Sequence, residues 1–530
     1  MTQIQLYDTT LRDGAQREGI SFAVEDKLRI ATKLDELGIH FIEGGWPGSN
    51  PKDEEFFARA KSLSLPHALL AAFGSTRRAD TKAEEDPNLR TLLEAETKVV
   101  TLVGKSWGLH VTQVLETTFD ENLRMIADSI AYLKSKGRKV FFDAEHFFDG
   151  YKANAKYAID TIKAAAEAGA ECIILCDTNG GTMPSEVATA FDAARKATAV
   201  PLGIHAHNDA ELAVANTLTA VQAGATQVQG TINGYGERCG NANLCSIIPS
   251  LKLKMGIDCI SDEQLAKLTE VAHYVSEISN LALDTHLPYV GASAFAHKAG
   301  LHVAAMIKWE ESYHHIDPEL VGNRWRTLVS ELSGKGGIAY KAREQGLELA
   351  PQGDQARAIL ERVKNMESRG FQYDGAEASF ELLVRRAQPD YHPLFELVDF
   401  MVVVEKRRRP STVESEELLS EATVKVKVGG DVIHTAAEGN GPVNALDAAL
   451  RKALLVFYPS LKAVRLVDYK VRAIEETAGT ASRVRVLIES SDGEHEWRTV
   501  GSSTNIIEAS WLALADSLEY WLLKKGTIPL

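Results

Sequence analysis

The sequence predicts an α/β protein: a (β/α)8 TIM barrel, then a helical lid subdomain, then a C-terminal α+β regulatory domain. Three observations predict it. Short apolar runs alternate with amphipathic stretches over about 260 residues, matching the eight strand–helix units of such a barrel in number and size. Residues suited to chemistry fall at or just beyond the ends of those runs: Asp13, Glu43, Glu145, Asp177, His205, His207 and Asn241. Barrels of this kind build their sites there. Beyond position 421 the pattern becomes strands leading through Gly/Ser/Asn loops into helices, and it occurs twice.

The elements follow in order. Ile4–Asp8 reads as a strand and Val24–Gly38 as an amphipathic helix ended by Gly38. Phe41–Glu43 is the second strand, with a helix over Asp53–Ser62; His67–Phe73 is the third, with a short helix at Asn88–Glu94. Val99–Val103 precedes a helix over Glu121–Lys136, and Lys139–His146 one over Ala153–Ala168. Cys172–Cys176 precedes Ser185–Ala197, and Leu202–His207 precedes Glu211–Ala223. Gln227–Ile232 is the eighth strand, followed by a helix over Asn243–Met255.

The barrel is expected to occupy residues 1–260 and the helical lid 261–400. A charged linker follows at 401–421, marked by Arg407-Arg408-Arg409-Pro410, and a regulatory and dimerisation domain at 422–530. In that domain strands Thr423–Val428 and Asp431–Thr435 lead through Gly439, Asn440 and Gly441 into a helix, Ala445–Phe457. Strands Val464–Ile474, Arg483–Glu489 and Glu494–Val500 lead through Gly501, Ser502 and Ser503 into a second helix, Ile506–Lys524. Each loop can present backbone N–H groups to an anionic effector; simple helix capping is the plainer reading.

Charge excludes some classes. A net charge of −15 gives no support to nucleic-acid or anionic-membrane binding. No 18-residue apolar run is present, so no span is expected, and the first residues read as a strand rather than a signal peptide. Five cysteines, with no Cys-x-x-Cys pair, fit reduced thiols and a cytoplasmic setting. Cys172 and Cys176 are expected in the core, and Cys239 is read as packing.

The chemistry centres on His205-Ala206-His207. Two histidines at the end of the apolar run Val200–Ile204 share one face of a strand, because the period is two. Two imidazoles can grip a divalent metal, and Asp13 and Asn241 supply further ligands. Carboxylate, imidazole and amide together suit Mn, Mg or Zn without choosing among them.

Asp8-Thr9-Thr10-Leu11-Arg12-Asp13-Gly14, His205-Ala206-His207-Asn208-Asp209 and Gly236-Glu237-Arg238-Cys239-Gly240-Asn241 together resemble the acyl-CoA/2-keto acid condensing enzymes. These include 2-isopropylmalate, homocitrate and citramalate synthases. The stretches Phe295–His302 and Tyr313–Asn323 most resemble the long citramalate synthases. The resemblance covers nearly the whole chain. It implies acetyl-CoA and pyruvate as substrates, isoleucine as feedback effector, and a homodimer. 2-Ketoisovalerate or 2-ketoglutarate as the keto acid is the runner-up. A lyase similar to 3-hydroxy-3-methylglutaryl-CoA lyase would share the barrel and metal site but lack the two later regions.

With that resemblance the residues take roles. Arg12 would stabilise the alkoxide formed on attack, and Thr178 would hydrogen-bond the keto-acid carboxylate. The resemblance points to His302 as the enolising base with Tyr313 beside it, and Glu145 is a second candidate for proton handling and substrate contact. An ion pair of Arg12 with Glu237 or Glu43 is the structural alternative. Phe73, Trp107 and Asp143 are candidates to line the keto-acid pocket, and Gly334-Lys335-Gly336-Gly337 is read as a contact to CoA phosphates or as a tight turn only.

Overall fold

The computed structural model describes residues 4–298, 300–328, 335–344, 354–373, 375–389, 391–405, 419–474 and 482–526. The chain divides into two compact units. One comprises residues 1–295 and 315–325, the other 296–314 and 326–530.

The first unit holds a closed barrel of eight parallel strands in sequence order. They are β1 (Gln5–Asp8), β2 (Phe41–Gly45), β3 (Leu69–Ser75), β4 (Val99–Lys105), β5 (Lys139–Glu145), β6 (Cys172–Asp177), β7 (Leu202–Ala206) and β8 (Gln227–Gly230). The register Gln5↔Gln227 to Asp8↔Gly230 closes β8 onto β1. The strands are nearly continuous apolar runs because both faces are covered. Alternation sorts the side chains. Phe142 and Ala144 on β5 and Ile173 and Leu175 on β6 join the layer under the helices. Phe141, Cys172, Ile174 and Cys176 form the inner layer with Tyr7, Phe41, Ala71 and Val99. The same period carries Asp143 and Glu145, and His205 on β7, to the inward positions of their strands.

Helix starts follow local chemistry. Asn50, Asp86, Thr118 and Asn154 cap the helices beginning at Pro51, Pro87, Phe119 and Ala155, each side chain accepting a backbone N–H. The expected single helix over Asn243–Met255 is instead Leu244–Pro249 followed by a π-helical turn, Ser250–Lys254. Pro249 removes one N–H from the helix interior, and the chain rewinds there.

The second unit has two short parallel strands, β9 (Ala296–His297) and β10 (Arg326–Thr327). Helices over Gly300–Lys308, Lys335–Glu344, Asp354–Ser368 and Glu377–Arg385 accompany them. Two three-stranded antiparallel sheets complete it: β11 (Glu396–Glu405), β12 (Leu419–Val428) and β13 (Asp431–Gly439), then β14 (Arg465–Ala473), β15 (Val484–Ser491) and β16 (Glu496–Ser503). Each leads into one helix, Pro442–Leu454 or Ile506–Lys524. The first strand of the first repeat, β11, lies where the end of a helical lid and the start of a charged linker are expected. β11 precedes the charged stretch, and its run LVDFMVVVE lacks clean alternation because Met401 and Val403 are apolar yet exposed. The arginines 407–409 of the expected linker and Gly334 lie outside the described residues; Lys335 and Gly337 open a helix.

Candidate active site

Asp13, His205, His207 and Asn241 come together at the C-terminal mouth of the barrel, and all four are buried. His205 is on β7. His207 extends that strand and forms an isolated bridge with Asn241, which explains why a residue 34 positions downstream reaches it. Asp13 arrives through a tight turn after β1, in which the Arg12 and Gly14 amides both donate to the Thr9 carbonyl at 3.1 Å. His205 Nε2 lies 3.4 Å from His207 Nε2, 3.5 Å from Asp13 Oδ2 and 3.3 Å from Asn241 Nδ2.

Among the described residues no three His, Cys, Asp or Glu side chains are by themselves set as a finished metal cage. Two features nonetheless fit a divalent cation. The buried Asn241 Oδ1 has no hydrogen-bond partner, and exchanging it with Nδ2, which faces His205 Nε2 and Asp13 Oδ2, would turn it to a cation. The donor set of one carboxylate, two imidazoles and one amide suits such an ion. Burial, reinforced by the neighbouring His205, pushes His207 down to about 3, which keeps the imidazole neutral and able to donate its lone pair. Burial opposes ionisation of Asp13, but Arg12 and the two imidazoles outweigh it and hold the carboxyl below its ordinary value.

Arg12 is clamped from both sides. Its Nη1 and Nη2 donate to the two Asp13 oxygens at 2.6 and 3.0 Å, and its Nε donates to Glu43. The Tyr7 hydroxyl donates to Glu43 at 2.6 Å and meets Thr101 Oγ1 at 2.7 Å. The guanidinium carbon sits 3.7 Å from the centre of the Phe73 ring. Arg12 therefore pairs with Asp13 and Glu43 rather than Glu237. A cation at the cluster centre would share the Asp13 carboxylate with this guanidinium.

A cavity of about 560 Å³ opens from this cluster. Arg12, Asp13, Phe73, Glu145, Thr178 and His207 all border it. Glu145 pairs there with Lys105, its register partner on β4. Thr178 Oγ1 accepts the His146 amide at 2.9 Å, so its own proton is free to donate elsewhere. His146 makes that contact from a left-handed backbone, φ 54°. Of the three expected pocket residues only Phe73 borders the cavity. Trp107 stacks on His110 at 5.2 Å, and Asp143 is buried, donated to by Gln229 Nε2 at 3.3 Å. Cys239 is exposed rather than packed, because it lies on the turn that carries Asn241 round; Cys172 and Cys176 are buried as expected.

His302 and Tyr313 belong to the second unit. Their rings stack at 4.3 Å, with His297 within 6.4 Å of both. The two regulatory loops share one feature, a first glycine packed on the following helix (a Cβ at Gly439 would lie 2.5 Å from the Ala445 amide nitrogen), and differ beyond it. Asn444 Oδ1 accepts the Asn440 amide at 3.1 Å, while a side chain added at Gly441 would meet open space. Ser502 Oγ donates to the Arg369 carbonyl at 2.9 Å and Ser503 Oγ to Glu508 at 2.5 Å, both inside the protein. Gly501 packs against the backbone of the following helix: a Cβ would lie 2.0 Å from the Ala509 carbonyl.

Sequence reasoning missed Tyr7, Thr101, Lys105 and Gln229. Gln227 and Gln229 carried a readable signal, as polar residues at alternate positions of a barrel strand. Nothing local marks Tyr7 or Thr101, which read as ordinary strand residues.

These features define a class. The chain belongs to the HMGL-like family, whose model matches residues 3–275. A homocitrate synthase post-HMGL domain-like model matches residues 289–370, and a LeuA allosteric (dimerisation) domain model matches 374–522. Within that class its full-length relatives include (R)-citramalate synthases. That of Geobacter sulfurreducens is 58% identical over 528 residues, covering 100% of this chain and 99% of the relative. That of Aquifex aeolicus is 53% identical over 526 residues, with 98% of each chain covered. The 2-isopropylmalate synthase of Methanocaldococcus jannaschii is 31% identical over 528 residues, covering 99% of this chain and 95% of the relative.

Proposed function

We propose that this enzyme condenses acetyl-CoA with pyruvate and hydrolyses the thioester, giving (R)-citramalate and CoA. The observation that carries the reading is the clamped Arg12. It stands beside the Asp13–His205–His207–Asn241 cluster and borders the cavity, in a chain whose relatives over its full length include (R)-citramalate synthases.

Asp13, His205, His207 and Asn241 would hold a divalent cation, which supplies Lewis-acid polarisation of a keto oxygen. Mn, Mg and Zn all suit the donor set. The chain's own residues supply the rest. Arg12 spends three of its five N–H donors on Glu43 and Asp13, leaving two for the keto acid. In that place a fixed guanidinium stabilises negative charge gathering on the keto oxygen as the new carbon–carbon bond forms. Thr178 donates its free hydroxyl proton to the keto-acid carboxylate. The acetyl methyl gives up a proton to a base, the resulting enolate carbon attacks the keto carbon, the keto C=O opens to an alkoxide that takes up a proton in return, and water then cleaves the thioester to release CoA. The resemblance to the condensing enzymes makes His302 the proposed base, and Tyr313, stacked on it at 4.3 Å, its proposed orienter. Glu145, bordering the cavity, is the second candidate.

The C-terminal repeat is proposed to form a homodimer and to bind isoleucine near residues 439–441 and 501–503. The LeuA-type domain supports regulation, and the open surroundings of Gly441 support the first loop. No helix among the described residues is long and apolar enough to cross a membrane. A cytoplasmic setting fits the five free cysteines.

One assay tests the core of this. CoA release is measured with pyruvate, 2-ketoisovalerate or 2-ketoglutarate, before and after chelation. Pyruvate is expected to be preferred, and chelation to abolish release until Mn²⁺, Mg²⁺ or Zn²⁺ is restored. Preference for a branched keto acid would overturn the substrate. Release undiminished by chelation would overturn the cation. Inhibition by isoleucine rather than leucine is expected.

A further inference from the structure

His205 and His207 are not equivalent. His207 Nδ1 is buried with no hydrogen-bond partner, whereas His205 Nδ1 lies 2.9 Å from Gln229 Oε1. Gln229 stands on β8 with no exposed surface, and its Nε2 donates to Asp143 Oδ1 at 3.3 Å. Asp143 comes from β5, three strands away around the barrel. Three residues thus form one buried chain across the barrel interior: a carboxyl, an amide and an imidazole.

We propose that Asp143 and Gln229 are positioning residues that set the tautomer of His205, holding its proton on Nδ1 and its Nε2 lone pair toward the Asp13–His207–Asn241 cluster. The inference rests on reading that cluster as the cation site. Gln229 Nε2 faces Asp143 Oδ1 at 3.3 Å, and burial, with the charge of Glu43, raises the Asp143 pKa well above the usual carboxylate range, so a neutral carboxyl accepts from the amide through its carbonyl oxygen. With Nε2 committed to Asp143, Oε1 faces His205 and can only accept. An acceptor there fixes the proton on Nδ1. The opposite end of the ring agrees: Asn241 Nδ2, a donor, lies 3.3 Å from His205 Nε2. Were the relay absent, the ring could carry its proton on Nε2, aimed into the cluster, and a cation would have to displace it.

Gln229 is assigned no contact with substrate. Its contribution is to have the ligand ready before the cation arrives. His207 has no such brace, so the relay concerns His205 alone.

The test uses the full-length chain with Mn²⁺ as probe and two readouts that need no turnover. The first is the ¹⁵N chemical shifts of the His205 ring in the metal-free protein, assigned by loss of the signal in His205→Gln. The second is Mn²⁺ affinity by titration calorimetry. The parent is expected to show the Nδ1–H tautomer. Gln229→Met, close in volume but without an acceptor, should populate the Nε2–H form and weaken Mn²⁺ binding by roughly 10–100-fold. Asp143→Leu should act in the same direction by freeing the amide. Gln229→Glu restores an acceptor, its other oxygen taking a hydrogen bond from the neutral Asp143 carboxyl, and should recover the Nδ1–H form. An Nε2–H tautomer in the parent would overturn the proposal. So would a Gln229→Met protein with parental shifts and affinity. Where Gln229→Met does not fold, the parental spectrum and Gln229→Glu decide the matter. Failure of the parent to bind Mn²⁺, Mg²⁺ or Zn²⁺ at all would overturn the cation reading itself, while the tautomer spectrum still judges the relay.

Discussion

Arg12 shows how much one side chain can organise when its donors are counted. Nε is held by Glu43 and the two Nη by Asp13, and the ring of Phe73 covers one face. Glu43 is fully buried, and burial raises its pKa even against the pull of Arg12. Such a carboxylate is tolerated because a guanidinium and the Tyr7 hydroxyl satisfy it. Lysine cannot reproduce this, since a point charge cannot serve both carboxylates as a planar fork does. Arg12→Lys should keep the charge yet lower kcat by about 10²–10³-fold, the usual loss when an oxyanion donor is removed. Steady-state CoA release checks it. A kcat close to the parent's would remove Arg12 from the chemistry and leave it a structural ion pair.

At the scale of elements, the turn between β8 and the helix at Leu244 decides whether the cluster is complete. Asn241 is brought to His207 by the bridge between them, and Gly236 lies directly behind its side chain. A Cβ on Gly236 would stand 1.9 Å from Asn241 Oδ1. Gly236→Ala should therefore push the amide out of place and weaken Mn²⁺ binding by roughly tenfold or more, as calorimetry would show. The barrel itself should melt near the parental temperature, because the turn lies outside the strands. Unchanged affinity would mean that Asn241 is not a ligand. β11 teaches a different lesson about elements. Its outward Met401 and Val403 are 58% and 47% exposed, while Phe400 stacks on Trp511 at 5.6 Å on the helix side. An exposed apolar strand face is unusual in a monomer.

That observation belongs to the whole molecule. The proposed homodimer provides a second copy to cover such a face, and the match of residues 374–522 to a dimerisation domain points the same way. Placing two carboxylates on the strand, Met401→Glu with Val403→Glu, should halve the mass measured by light scattering at micromolar concentration. A parental mass would locate the interface elsewhere. The division of the chain at Phe295, with residues 315–325 returning to the barrel unit, also appears only at this scale. It leaves His302 and Tyr313 in one unit and Arg12 in the other.

The sequence by itself determined the barrel, since eight apolar runs alternate with amphipathic stretches and that order is readable along the chain. It also determined the His205/His207 pair, because two positions on one strand face need no tertiary information to be neighbours. Asp13 and Asn241 were legible through their place after apolar runs. What only the tertiary structure decided was which distant groups meet inside the barrel. Tyr7 with Thr101, and Asp143 with Gln229 and His205, are pairings between strands, fixed by the stagger of a closed sheet rather than by spacing along the chain, and the choice of Glu43 over Glu237 for Arg12 also waited on the fold. Strand stagger is a property of the closed cylinder, and no local stretch encodes it.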